Sequence, residues 1–567
     1  MRFPFKRCFF SLLASLFYLS FARAATFEGF VYEVASRAVT ITAYEGSAPE
    51  VEIPATIGGR PVTAIGDWAF SNHSGLTSVT ISDSVTRIGD YAFTGCSSLA
   101  SLALGDGVAS IGAYVFLGCS RLTDVSIPAT VASIGPEAFG ACPALQAIEV
   151  SPANPTFSSI GGVLFDHARQ TLLAFPGGWE GAYEIPGSVS RIGAAAFASS
   201  FGLTRVTIPD AVTTIEARAF ADCSHLAEVQ FGQGVTVIGE GAFQGCSSLT
   251  RIALPAGVEQ LGPWAFAACT LLAEVVLPEG LAHLGDNAFF SCSSLQAVAI
   301  PDSVTSVGQY AFADCLQLRR VTIGHGLTRI ADRTFSGCRS LVDLSLGRSL
   351  ASIGKHAFAD CTGLTRVTIP VEVAKIELGA FSGCASLAAA VFTGALPVIQ
   401  PWAFDAVASD FRIYYPARAT TDDRALYWLG YPAELVPAAS IWALSHGVAF
   451  NDALFDADPD QDGLANVFEY ALGTSPAEVT SAALAPRLAR SNQQLVYTHR
   501  RLIRNPPTIA YWWTTDLSLP IALWTPFGAV PVVTNPDADG DGQVEEVAVP
   551  LPEVGNLPVF IVMTVAP

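Results

Sequence analysis

Residues 76–98 read LTSVTISDSVTRIGDYAFTGCSS, and this stretch decides the fold because its pattern returns along most of the chain. Leu76 is followed by Val79 and Ile81, which share one face of an extended segment because side chains of a strand alternate between faces. An Ile-Gly pair and an Ala-Phe pair come next. We interpret the segment around Phe93 as one or two helical turns with the ring facing inward.

The phenylalanine of this unit recurs at an interval of 23 residues, fourteen times in all. A unit of this length cannot bury its apolar face alone, so each coil must stack on the next one. The pattern therefore predicts a solenoid of parallel strands and short helical turns. The recurring residues are Phe70, Phe93, Phe116, Phe139, Phe197, Phe220, Phe243, Phe266, Phe289, Phe312, Phe335, Phe358, Phe381 and Phe404.

One interval breaks the period, because Phe139 and Phe197 are 58 residues apart, which is two periods plus 12. We therefore predict a fifteenth unit that is interrupted by an insertion at about 151–183. Within it, residues 157–176 contain two apolar segments around the polar loop 166–170, which indicates a β-hairpin. Either a decoration of the solenoid or a binding protrusion would fit this pattern.

The repeat resembles that of the BspA-like leucine-rich-repeat proteins of bacterial surfaces, whose unit is similar to L-x-x-V-x-I-P-x-x-V-x-x-I-G-x-x-A-F-x-x-C. The resemblance covers roughly residues 26–436. Residues 25–68 look like the N-terminal cap of that family, and residues 411–436 look like its closing cap around a solenoid at 69–410. The resemblance implies a secreted or surface-displayed binding protein, with members that contact host or matrix proteins, and it implies no chemistry.

Composition excludes several classes of protein. The chain has 567 residues, 51% of them hydrophobic and 14% charged, so a disordered or coiled-coil chain is excluded. Thirty basic residues against 50 acidic ones give a net charge of −20, and only three residues are Lys. We therefore expect no nucleic-acid partner, because phosphate binding needs clustered Lys and Arg.

Residues 1–24 have the pattern of a secretory signal peptide. Basic residues are followed by an apolar stretch from Cys8 to Phe21 and by Ala22-Arg23-Ala24, a small-x-small cleavage site. The stretch is shorter than the ~20 residues of a membrane helix, and no later stretch is longer. We expect a mature chain that is secreted or displayed at the surface, has no transmembrane segment and is a monomer.

Eleven of the twelve cysteines lie three residues after a repeat phenylalanine. Stacked neighbours would be close enough for disulfides in an exported protein. The number is odd, however, and His73, Ser200 and Val407 take the same place in other coils. A column of small buried thiols is the favoured interpretation, with occasional bridges or a metal or redox role as alternatives.

The outward residue two places after each repeat leucine changes sign between neighbouring coils. Opposite charges on adjacent strands attract, so this pattern predicts a self-neutralising ladder that stabilises the stacking register and leaves no stripe of one sign for a polyanion. The series is Arg205, Glu228, Arg251, Glu274, Ala297, Arg320, Asp343 and Arg366.

Beyond residue 437 the period disappears, and residues 458–469, DPDQDGLANVFE, match a calcium loop. The loop leads into a helical pattern, which resembles dockerin-like or thrombospondin-type-3-like loops, and we assign residues 437–476 to a calcium-loop linker. A second acidic run, Asp537 to Asp541, starts in the same way but has Ala548 at the last ligand position, so Ca²⁺ binding there stays open. The predicted ligands of the first site are Asp458, Asp460, Asp462, the carbonyl of Leu464, Asn466 and Glu469.

Strand-like segments in residues 477–567 predict a small β-sandwich. The sequence has no GxSxG, HExxH, P-loop or GxGxxG motif, so we predict no enzyme. The favoured function is adhesion or another interaction with an extracellular protein or matrix component. The alternatives are a passive spacer of the envelope or matrix, and an accessory protein that binds carbohydrate through Trp512, Trp513 and Trp524.

Overall fold

A computed structural model describes residues 25–416, together with strands of the remaining chain. The later described ranges are 427–428, 431–436, 487–491, 494–502, 509–514, 525–526, 532–535, 544–550 and 560–565. The chain divides into two compact units, Met1–Gly232 and Gln233–Pro567. The predicted solenoid of parallel strands is confirmed, with about 16 turns. The signal-peptide pattern of residues 1–24 lies outside the described residues.

Each coil contributes one strand to a wide sheet and one two-residue strand to a narrow sheet. In the coil of Phe93 these strands are Ser78–Ile81 and Arg87–Ile88, and both pair in parallel with their equivalents in the next coil. Val79 and Ile81 are buried while Thr80 between them is exposed, as the alternation of a half-buried strand requires. The apolar positions of the repeat therefore form the core.

The first unit begins with an antiparallel meander and continues as stacked coils. Its meander and capping strands are Ala25–Phe27, Phe30–Ala35, Ala38–Tyr44, Thr56–Ile57 and Arg60–Ile65. Its wide-sheet strands are Glu50–Ile53, Ser78–Ile81, Ser101–Ala103, Asp124–Ile127, Ala147–Val150, Gly181–Glu184, Leu203–Thr207 and Glu228–Gln230. Its narrow-sheet strands are Arg87–Ile88, Ser110–Ile111, Ser133–Ile134, Arg191–Ile192 and Thr214–Ile215, and the insertion adds Phe157–Ile160, Val163–Asp166 and Thr171–Ala174.

The second unit repeats the same two sheets. Its wide-sheet strands are Arg251–Ala253, Glu274–Val276, Ala297–Ile300, Arg320–Ile323, Asp343–Ser345, Arg366–Ile369, Ala389–Phe392, Arg412–Pro416 and Tyr431–Val436, and Tyr427–Trp428 pairs with the last of them. Its narrow-sheet strands are Val237–Ile238, Gln260–Leu261, His283–Leu284, Ser306–Val307, Arg329–Ile330, Ser352–Ile353, Lys375–Ile376 and Val398–Ile399.

The C-terminal part of the second unit has strands in two antiparallel sheets. One sheet contains Arg487–Ser491, Gln494–Leu502, Val544–Pro550 and Val532–Asn535, and the other contains Thr525–Pro526, Ile509–Thr514 and Phe560–Val565. The β-sandwich stays a prediction.

The segment that carries the phenylalanine differs from the sequence prediction, because it is a run of turns and the described residues contain no helix. Tyr91 and Gly95 adopt left-handed φ values of 58° and 73°. The N–H groups of Tyr91, Phe93 and Gly95 donate to carbonyls of the next coil at 2.9, 2.9 and 2.8 Å. A helix would use these donors within the segment, whereas here the stacked neighbour supplies the acceptors.

The phenylalanine rings form the centre of the core in each unit. From Phe243 to Phe404 the centroids of neighbouring rings lie 5.1 to 5.4 Å apart and the ring planes are within 7° of parallel. Such spacing is favourable for offset aromatic stacking. Each internal ring is therefore in contact with one ring above and one below.

The cysteines form the column of buried free thiols that the sequence favours. All eleven cysteines in the described residues are buried and unbridged. Their thiols donate to the carbonyl of the repeat phenylalanine in the preceding coil, as in Cys292 to Phe266 at 3.1 Å and Cys315 to Phe289 at 3.3 Å. Burial raises the pKa of Cys292 to about 12, so the reactive thiolate is suppressed.

We expect Phe289→Ala to lower the free energy of unfolding by about 3–5 kcal/mol, because it leaves a cavity between two stacked rings. Urea denaturation measures the change. Phe201→Ala is the matched control, since this ring is 37% exposed and its loss should change stability by less than about 1 kcal/mol. Equal effects of both variants would contradict the internal stack.

The repeat thiols should resist labelling in the native protein. Titration with an aromatic disulfide reagent at pH 8 should label none of the eleven described cysteines before unfolding and all of them in denaturant. Rapid labelling of the native chain would show that the column is accessible.

Candidate functional site

The charged residues of the wide sheet form pairs between neighbouring coils. Arg205 contacts Glu228 at 2.6 Å, and in the second unit Arg251 contacts Glu274 at 3.2 Å. A third pair joins Arg320 and Asp343 at 2.7 Å. More than half of each of these side chains is exposed, so each pair contributes only about 0.2–1 kcal/mol. The partners of each pair neutralise one another, and the pairs support the predicted register.

A row of aromatic side chains lies on the surface of the first unit, two residues before the repeat phenylalanine. Trp68 stacks on Tyr91 with centroids 4.0 Å apart, and Tyr91 stacks on Tyr114 at 4.8 Å. Trp68 is 54% exposed. We call Trp68, Tyr91 and Tyr114 the aromatic row.

The aromatic row uses a left-handed backbone position that belongs to the repeat. Trp68, Tyr91 and Tyr114 adopt φ values of 64°, 58° and 57°. Arg218 and Trp402 take the same place in other coils, also with positive φ, and Gly241 and Gly379 show that the turn accepts glycine. The stacked rings, and not the backbone, therefore distinguish the aromatic row.

A half-buried ion pair follows the aromatic row. Glu137 takes the next equivalent position, and its carboxylate accepts from Nε of Arg218 at 3.2 Å. The Glu137 side chain is only 10% exposed. Burial, and then the negative charge of Glu137, raise the pKa of Tyr114 above its usual value, so this tyrosine stays neutral at physiological pH.

The insertion lies beside this ion pair and has one strand more than the predicted hairpin. Phe157–Ile160, Val163–Asp166 and Thr171–Ala174 form an antiparallel meander. The first turn is Gly161-Gly162, with φ values of 56° and 78°, as in a two-residue type I′ hairpin. This Gly-Gly pair was the sequence signal for the additional strand.

Asn154 holds the start of the insertion against the preceding coil. Its buried side chain donates to the carbonyls of Pro128 at 2.8 Å and Val131 at 3.0 Å. Its oxygen accepts from the N–H groups of Thr156 and Phe157, both at 2.8 Å. All hydrogen-bonding positions of the amide are therefore used.

The predicted calcium ligands Asp458, Asp460, Asp462, Leu464, Asn466 and Glu469 lie outside the described residues, as does the run from Asp537 to Asp541. The side chains of Trp512, Trp513 and Trp524 also lie outside them. Within the part of the chain that is described, no three acidic, His or Cys side chains are grouped so that they could hold a metal ion. No helix in that part could span a membrane.

Sequence reasoning missed the aromatic row. The predictions rested on the apolar positions of the repeat and on the outward strand positions, and not on the residue two places before each phenylalanine. Trp68, Tyr91 and Tyr114 recur there with the same interval of 23, so the signal was present. Their stacking and the left-handed backbone were visible only in the structure.

A family model described as BspA type leucine-rich repeat region matches residues 44–171, 190–319 and 282–409, in six copies. No curated protein is significantly similar to the chain. The chain is similar to the crystal structure of a leucine-rich repeat protein from Bacteroides ovatus, with 24% identity over 73% of this chain and 99% of that one and a TM-score of 0.44.

Two further solved structures are similar over most of their own length. A leucine-rich cell surface protein from Faecalibacterium prausnitzii has 25% identity over 57% of this chain and 94% of its own, with a TM-score of 0.31. The pneumococcal vaccine antigen PcpA has 16% identity over 73% of this chain and 99% of its own, with a TM-score of 0.34.

Proposed function

Because the chain belongs to the BspA-type leucine-rich-repeat family, we propose that it is a secreted or cell-surface, non-catalytic protein that binds another extracellular protein. Family membership supports a surface interaction protein in general. The specific proposal is an adhesion or interaction contact made by the first unit through the aromatic row.

The aromatic row is the observation that carries this proposal. Trp and Tyr are enriched among the residues that dominate binding energy in protein interfaces, because they bury a large area with little loss of conformational entropy. Asp67, which precedes Trp68 in the chain, is paired with Arg87 at 3.5 Å. The row is thus an exposed aromatic contact, which suits a protein partner.

Carbohydrate is a poorer fit to the aromatic row. Sugars are bound on open aromatic faces, but Tyr91 has Trp68 on one face and Tyr114 on the other. The carbohydrate alternative therefore depends on the tryptophans of the C-terminal part. A passive spacer remains the other alternative, and it requires no partner at the row.

Substitution by glycine at the aromatic row should separate binding from folding. Trp68→Gly and Tyr91→Gly remove stacking worth about 0.5–1.5 kcal/mol but also relieve the left-handed strain of about 1–2 kcal/mol, so the melting temperature should change little. We expect each variant to weaken the complex about tenfold or more. The partner is first captured from extracellular-protein and glycan arrays with residues 25–567, and affinity is then measured by surface plasmon resonance.

Trp402→Gly is the matched control, because Trp402 takes the same place in a coil of the second unit, with φ 59° and 65% exposure. It should leave affinity unchanged. Equal weakening by all three variants would argue against the row as the contact. Polymeric self-assembly without a saturable partner would favour the spacer, and a glycan partner would favour the carbohydrate alternative.

The acidic loop at 458–469 supports a structural calcium site as a further part of this proposal. Its oxygen ligands have the spacing that one Ca²⁺ needs, and four carboxylates without a cation would repel one another. Calorimetry on residues 25–567 should show one site with a Kd of about 10⁻⁴–10⁻³ M, as in extracellular modules. Asp460→Asn should abolish this site, whereas Asp539→Asn should leave it intact. Loss of binding only with Asp539→Asn would transfer the site to the second acidic run.

A further inference from the structure

The insertion leaves one coil of the first unit without a complete neighbour. The narrow-sheet strand Ser133–Ile134 pairs with Ser110–Ile111 on one side and is the last strand of its sheet within the described residues. The rings stack on one another from Phe70 to Phe139. A new stack begins at Phe175, whose ring centroid lies 4.6 Å from that of Phe197. Phe175 thus takes the repeat position of the interrupted coil. Among the described residues, no ring contact joins Phe139 to Phe175.

Three backbone donors of this coil differ from their equivalents in the coil before it. In the coil before it, the N–H groups of Tyr114, Phe116 and Gly118 donate to the next coil at 3.0, 2.8 and 3.0 Å. The equivalent N–H groups of Glu137, Phe139 and Ala141 have no hydrogen-bond acceptor among the described residues. Phe139 is only 4% exposed, and a buried N–H without a partner is rare because it loses its hydration without compensation.

A cavity of about 340 Å³ lies at this open coil. Its volume is at the lower end of the range of ligand sites, and more than twice the ~150 Å³ that holds a benzene ring. Its apolar walls come from both sides of the interruption and from the meander. They include Phe139, Phe157, Leu164, Leu173 and Phe175.

The charges around the cavity are already neutralised. Glu137 is paired with Arg218, and Glu216 accepts from Arg191 at 2.7 Å and from the N–H of Ala194 at 2.9 Å. A charged ligand therefore gains no unpaired counter-ion here. The unused groups are backbone donors at alternate residues beside an apolar space, and their natural acceptors are peptide carbonyls.

We propose that this cavity is a binding site for a short peptide segment of a partner protein. Carbonyl groups of the segment accept from the N–H groups of Glu137 and Phe139, which line the cavity, and one large apolar side chain of the segment enters it. Main-chain hydrogen bonds then provide affinity while the cavity selects the side chain, as in other cases of strand addition. The site is distinct from the proposed contact at the aromatic row.

A peptide that imitates a coil tests the proposal directly. The probe is a blocked peptide with the sequence of residues 90–94, and its control peptide carries the change Phe93→Ala. Calorimetry with residues 25–567 should show saturable binding with one peptide per chain. The control peptide should bind about tenfold or more weakly, because it cannot fill the cavity.

A protein variant locates the site. Thr171 is part of the cavity wall. Thr214 takes the equivalent position two strands further along the narrow sheet, because Arg191 pairs with Thr171 on one side and with Thr214 on the other. Thr171→Trp should weaken peptide binding about tenfold or more, and Thr214→Trp should leave it unchanged. In the unsubstituted protein, saturating peptide should slow amide exchange of Glu137 and Phe139 about tenfold or more by NMR, and leave Tyr114 and Phe116 unchanged.

The proposal is overturned if the peptide does not bind saturably below about 1 mM, if the Phe93→Ala peptide binds equally well, or if the amides of Glu137 and Phe139 are not protected. Benzyl alcohol serves as a second probe. Its saturable binding without any binding of the peptide would identify a small-molecule pocket instead. None of these results depends on the aromatic row, so failure here leaves the proposed function testable by itself.

Discussion

The stacking of one coil on the next is the interaction on which the rest of this structure depends. A coil of 23 residues has too little apolar area to fold alone, and its turn segment has N–H groups that its own residues do not satisfy. The neighbouring coil provides a phenylalanine ring for stacking, and its carbonyls accept from the N–H groups of Tyr91, Phe93 and Gly95. Stability in each unit is therefore a sum of contacts between neighbours.

The same requirement explains why the surface differs from coil to coil while the core does not. Val79, Phe93 and Cys96 face the neighbouring coil and vary little in type along the chain. The position of Tyr91 faces solvent, so it can be Trp, Tyr, Glu, Arg or Gly without loss of the stack. A surface interaction can be placed there without a change in the core, even though the left-handed backbone would favour glycine.

The interruption after Phe139 shows what happens where stacking stops. The meander and Asn154 cover part of the exposed coil, and Phe175 restarts the ring stack. Among the described residues, the N–H groups of Glu137 and Phe139 are left without an acceptor beside the cavity that these residues line, as a direct result of this incomplete cover. The aromatic row ends next to the coil of Phe139, since Glu137 takes the position equivalent to Tyr114 in that coil.

The sequence by itself determined the features that repeat. The interval of 23 places Phe, Cys and the strand residues in equivalent positions, and equivalent positions in a solenoid have the same neighbours. The buried phenylalanines and free thiols followed from that argument, as did the opposite charges at Arg205 and Glu228. Only the tertiary structure decided what lies between coils. Whether the segment around Phe93 is a helix or a set of turns depends on acceptors in another coil. The N–H of Phe139 has no acceptor among the described residues because the insertion interrupts the next coil. These are properties of contacts between distant residues, and no local pattern specifies them.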